Sequence, residues 1–188
     1  MGSRTVSTLL SLFLIVSARG ELQLVPSVSS YELDGTKFTQ LAFTDGDLRP
    51  TYAPPRGWEY AGSPNKLVLH PPNKPQAEAT ISTVVLPRPA TFDDQSTKQI
   101  VEEALASVSR GSSNVELVSQ QKNPLMIDRK ETFLITLTYS LLGENYARSI
   151  LVLNRGNEQV RFQLVCRQAD FADLQKAFLT SQYSWQNL

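Results

Sequence analysis

Apolar and polar residues alternate most regularly between Glu131 and Leu142. Phe133, Ile135, Leu137 and Tyr139 share one parity, and Thr132, Leu134, Thr136 and Thr138 share the other. A period of two predicts a strand. Gly143-Glu144-Asn145 then reads as a tight turn, and Tyr146 to Leu153 as a returning strand. A second turn signal, Asn154-Arg155-Gly156-Asn157, leads into Glu158–Arg167, where Val160, Phe162, Leu164 and Cys166 alternate with Arg161, Gln163 and Arg167. The pattern predicts a three-stranded antiparallel meander with one buried face and one more polar face.

Two segments carry the helical period instead. From Ser96 to Arg110, the residues Ile100, Val101, Ala104, Leu105 and Val108 form one stripe, with Ser96 as N-cap, Gln99 placed for a capping box, and Gly111 as a stop. The stripe reads as a surface for docking on a sheet. The polar face carries Glu102 and Glu103 rather than the lysines and arginines of a membrane-surface helix. A second helix is expected from about Asp170 as N-cap, with Phe171, Leu174, Ala177 and Phe178 on its apolar face. Tyr183 and Trp185 beyond it are expected to pin the C-terminal segment to the body.

Upstream, Trp58–Ala61, Lys66–His70 and Ala79–Leu86 read as strands, separated and ended by prolines at 64, 71, 72, 75, 87 and 89. A further strand begins near Val115. Residues 21–42 have the weakest pattern and are expected to be a loosely ordered lead-in to a single domain over 43–188. The first twenty residues read as a signal peptide: Arg4, then the eleven apolar-rich residues Val6 to Val16, then small residues that allow cleavage after Ala18 or Gly20. An apolar run of that length is too short to span a bilayer, which needs roughly 20 residues.

Composition adds limits. The chain has 188 residues, of which 41% are hydrophobic and 19% charged, as in a globular protein. Its formal net charge is zero. Cleavage would remove Arg4 and Arg19 but no acidic residue, leaving a slight acidic excess. Basic residues are scattered with no tract, which speaks against a nucleic-acid partner. Cys166 is the one cysteine, so no internal disulfide forms, and its phase places it on the core side of its strand. His70 is the one imidazole, and no nucleophile motif or phosphate-binding glycine loop accompanies it. Asp45-Gly46-Asp47 suits a turn better than a calcium loop, Asp93-Asp94 suits the positive end of the following helix, and Glu102 and Glu103 diverge on theirs. No catalytic residue, metal or cofactor is expected.

The order of elements resembles the PsbP-like superfamily over roughly Phe43 to Leu188. The resemblance rests on Pro55-Arg56-Gly57-Trp58, on the hairpin at Gly143-Glu144-Asn145-Tyr146, and on the strand that runs into Asp170-Phe171 before a helix closing with Ser181 and an aromatic. That group includes the extrinsic photosystem subunit PsbP, a nuclear relative that binds the Ran GTPase, and many exported bacterial proteins. The resemblance implies an α+β fold, an α/β/α sandwich around a central antiparallel sheet, and a binding or assembly role rather than catalysis. It carries over no catalytic residue and neither of those partners.

Three functions follow, in order. The first is an exported, periplasmic or secreted, binding or assembly module, acting through a surface or shallow pocket on an unknown protein or small-molecule partner in the cell envelope. The second is a small-ligand carrier with a pocket between sheet and helix, lined by residues such as Trp58, Tyr60 and Tyr139. The third is a hydrolase built on His70 or on converging carboxylates. Trp58, Tyr60 and His70 are the candidate contact residues, and no membrane span is expected after signal cleavage.

Overall fold

A computed structural model describes residues 21–188. The signal-peptide reading of residues 1–20 lies outside the described residues. Among the described residues the chain forms ten strands and two α-helices. Strands β1 (Gln23–Leu33), β2 (Thr36–Thr44) and β3 (Thr51–Tyr52) make a small antiparallel sheet. The main sheet contains β4 (Glu59–Ser63), β5 (Lys66–His70), β6 (Glu78–Val85), β7 (Ser113–Lys122), β8 (Thr132–Leu141), β9 (Glu144–Arg155) and β10 (Glu158–Arg167). Its order is β4-β5-β6-β10-β9-β8-β7, with antiparallel neighbours throughout. Helix α1 (Asp94–Ala106) crosses from β6 to β7 over one face, and α2 (Phe171–Ser181) follows β10 onto the other. The result is an α+β sandwich around a central antiparallel sheet.

The meander follows its predicted parity, yet both of its faces are buried. Leu134, Leu151, Leu153, Val160, Phe162, Leu164 and Cys166 face the small sheet and α2. Phe133, Ile135, Leu137, Ile150 and Val152 face α1, against Ile100, Val101 and Ala104. The expected polar face is therefore a second core. Its polar members on β10, Arg161 and Gln163, stay half-buried beside α1 rather than beneath it.

Local chemistry moves several boundaries. The β8–β9 turn centres on Leu142 (φ 53°) and Gly143 (φ 81°), one residue earlier than the sequence suggests, as a two-residue type I′ loop requires. Asp93, not Ser96, caps α1. Its carboxylate accepts from the Ser96 amide at 2.8 Å and from the Thr91 hydroxyl at 3.1 Å. That helix stops at Ala106, short of Gly111, because Ser107 caps it and the Arg148 guanidinium on β9 donates to the Ser107 carbonyl at 3.1 Å. Asp170 precedes α2 as expected but makes no cap hydrogen bond; its carboxylate takes Lys74 instead, at 2.5 Å.

Residues 21–42 correct the expectation of a loose lead-in. Leu22 and Leu24 are fully buried, and β1 pairs with β2 through the turn Asp34-Gly35. The base of this hairpin crosses β4 so closely that a Cβ on Gly62 would lie 2.3 Å from the Leu24 carbonyl oxygen. Near the C-terminus, Trp185 is buried against Phe43, Tyr52 and Phe162, and Gln186 exchanges backbone hydrogen bonds with Thr51. Tyr183, expected to help, is exposed. No helix among the described residues is long and apolar enough to cross a membrane.

Candidate functional site

Helix α1 docks over β7 and β8, so the other half of that sheet face has no helix above it. Successive cross-strand pairs build its floor. One row runs Lys66, Ser82, Arg161, Val152, and the next runs Thr80, Gln163, Ile150. Between this floor and the flank of α1 lies a shallow trough of about 270 Å³, bordered on the helix side by Ile100, Glu103, Ala104 and Ser107.

The trough is chemically mixed. Arg161 bridges its width, donating to Glu103 at 2.8 Å and to Gln159 at 2.6 Å. That guanidinium, helped by Gln99 and opposed by partial burial, holds the Glu103 carboxyl below the ordinary glutamate value. Lys66 lies 3.8 Å from Glu78 at the outer rim. Both cations thus have a carboxylate nearby, while Thr80, Ser82 and Gln163 offer hydrogen-bonding groups. The apolar part comes from Ile100, Ala104, Ile150 and Val152. Such a surface can offer hydrogen bonds to a polar chain while Ile100, Ala104, Ile150 and Val152 pack against its apolar parts.

The residues singled out in the sequence go to separate places. Trp58 is in the core, stacked on Phe178 of α2 at 6.1 Å. Tyr60 is exposed on β4, facing the side crossed by β1. Tyr139 is buried, with Tyr146 stacked at 5.7 Å and the Arg148 guanidinium 5.7 Å from its ring. None of these aromatics lines the trough between helix and sheet. His70 ends β5, exposed, opposite Glu59 across the strand pair. It borders an open basin of about 290 Å³ with Pro71, Pro72, Asn73 and Lys74. Among the described residues no group of three or more His, Cys, Asp and Glu side chains is placed to hold a metal ion. Glu102 and Glu103 do diverge, toward Lys98 and Arg161. The trough residues themselves were signalled by the alternation of Thr80 and Ser82 with Ala79 and Ile81, and of Arg161 and Gln163 with Phe162.

No protein-family model matches the chain, and no curated protein matches it. Solved structures do. The solution structure of cyanobacterial PsbP from Synechocystis sp. PCC 6803 aligns with 73% of this chain and 85% of its own, at 13% identity and a TM-score of 0.52. A protein of unknown function from Pseudomonas aeruginosa aligns over 84% of this chain and 94% of its own, at 13% identity and a TM-score of 0.46. A crystal structure from Bacteroides thetaiotaomicron aligns over 73% and 44%, at 12% identity and a TM-score of 0.45. The cyanobacterial likeness establishes a PsbP-like fold for this chain, and at that identity it concerns the fold alone.

Proposed function

We propose that the chain is an exported, non-enzymatic binding or assembly module that holds its partner in the trough between α1 and the open half of the main sheet. The observation that carries this reading is the off-centre seat of α1, which leaves hydrogen-bonding side chains of β6 and β10 open beside apolar side chains of α1 and β9. The fold likeness to cyanobacterial PsbP is compatible with it. Export rests on the sequence of residues 1–20, and the partner is a protein or small molecule of the cell envelope. A carrier using the same trough ranks second, because about 270 Å³ falls just under the roughly 300–1,000 Å³ of ordinary ligand pockets.

A photo-crosslinking residue placed at Ser82 tests the reading in intact cells. The module predicts a discrete protein adduct at Ser82, none at exposed Tyr183, and loss of the adduct when Ala104→Trp fills the trough. A carrier predicts a co-purified small molecule by native mass spectrometry that Ala104→Trp displaces. Neither adduct nor ligand would remove the trough from consideration.

A further inference from the structure

The outer part of the β1–β2 hairpin projects as a two-stranded arm. Beyond Pro26 the side chains of β1 are exposed or nearly so, as are those of β2 before Leu41. Val28, Tyr31, Leu33 and Phe38 are 66%, 47%, 58% and 40% exposed. A lone two-stranded ribbon in water is marginal, and a third strand with an apolar face is what usually stabilises one. The arm has such a face. Tyr31 and Phe38 are directly opposite and stack at 5.3 Å, with Leu33 and Ser29 on the same side. The other side carries the cross-strand pair Glu32 and Lys37.

Only β2 pairs with β1 among the described residues, so the far edge of β1 presents unpaired N–H and C=O groups. The natural complement of such an edge is another strand. Pro26 has no N–H and closes the edge on the body side. The free stretch is Ser27–Leu33, and it is self-complementary. In a two-fold antiparallel pair, opposite residues share a sheet face, so the axis must pass through a residue. An axis at Glu32 would set two carboxylates against each other. An axis at Ser30 would set Val28 against Glu32. An axis at Tyr31 sets Tyr31 against Tyr31, Leu33 against Ser29 and Glu32 against Ser30, with no like charges opposed. It also extends the existing stack into a row of four rings, Phe38 and Tyr31 from each copy, at the ~4.8 Å spacing of paired strands.

The geometry points to a second copy of this chain as the occupant: the arms pair edge to edge through β1, antiparallel, with the axis at Tyr31. The two bodies then lie at opposite ends of a four-stranded ribbon, and the main sheet and its trough stay accessible.

Sedimentation equilibrium of the purified chain over a wide concentration range tests this. A reversible monomer–dimer equilibrium is expected. Tyr31→Lys and Tyr31→Glu should each raise the dimer dissociation constant at least tenfold, and mixing the two should restore a one-to-one dimer, because only this register brings position 31 against itself. In a separate variant, Tyr31→Cys should cross-link between copies on oxidation, while Leu33→Cys should not. Circular dichroism matching the parent shows that the variants fold. A chain that stays monomeric at the highest concentration, or a dimer that Tyr31→Lys leaves intact, overturns the assignment.

Discussion

Arg155 and Asp45, 110 positions apart in the chain, form an ion pair with side chains only 2% and 1% exposed. Arg155 ends β9, and Asp45 begins the turn after β2, so the pair fastens the small sheet to the meander. Glu158, directly opposite Arg155 on β10, approaches its Nε at 3.4 Å. Removing one partner of a buried pair leaves an uncompensated charge, which typically costs about 3–5 kcal/mol. Arg155→Ala should lower unfolding free energy by about that much in urea titrations. Replacing the cluster together, as Asp45→Leu, Arg155→Met and Glu158→Gln, should cost far less. Equal losses for the two variants would mean that the charges are not what matters there.

Glu158 also sets a pH dependence. Burial is the main cause that raises its carboxyl above the ordinary glutamate value; Arg155 opposes the shift and Asp45 adds to it, with Glu21 also nearby. Between the ordinary and raised values the folded chain keeps a proton that the unfolded chain has released. Stability from this group therefore falls as pH rises through that window. Asp93 and Glu103, lowered by the Ser96 amide and by Arg161 respectively, act in the opposite sense and lose their contribution as pH falls. Relative to the parent, Glu158→Gln should gain stability progressively as pH rises above the ordinary glutamate value of 4.5. A difference that stays constant with pH in urea titrations would rule out the shift.

Gly62 is where β1 crosses β4 at backbone contact. Gly62→Ala should cost about 1–3 kcal/mol, as overpacking does. The effect should be local: the Leu24 amide, which donates to the Pro64 carbonyl at 2.8 Å, should exchange hydrogen faster, while amides of β9 and β10 keep their protection. Unchanged exchange at Leu24 would contradict the crossing.

Phe133 and Phe162 lie on opposite faces of the main sheet. Phe133→Ala and Phe162→Ala should each cost about 3–5 kcal/mol. A near-neutral result for either would mean that its face is not a core.

Cys166 has no exposed surface, and burial pushes its thiol up to about 11. Ellman's reagent should leave the native protein unlabelled at neutral pH and titrate one thiol per chain in urea. Fast labelling of folded protein would show that β10 is more open than described.

The meander was legible because Phe133, Phe162 and their neighbours carry an unbroken parity that survives burial on both sides. The arm was not, because Val28, Tyr31 and Leu33 face solvent and leave no inside–outside contrast to read. Its strongest local signal was Asp34-Gly35, whose positive φ angles of 50° and 74° are what a tight hairpin turn demands. Arg155 looked like a turn residue because its partner Asp45 is distant in sequence. The trough shows the same limit. The alternation of Thr80 and Ser82 was visible, but whether a helix covers them depends on where α1 lands.

The two cores are not independent bodies. Strands β8 and β9 supply side chains to both, with Leu134, Leu151 and Leu153 on one side and Phe133, Ile135, Ile150 and Val152 on the other. Lifting α1 away would expose the reverse of the same strands that seat α2 and the small sheet. The body therefore has no natural line of partial melting: it should lose its order in a single cooperative step, with only the projecting arm free to fray ahead of it.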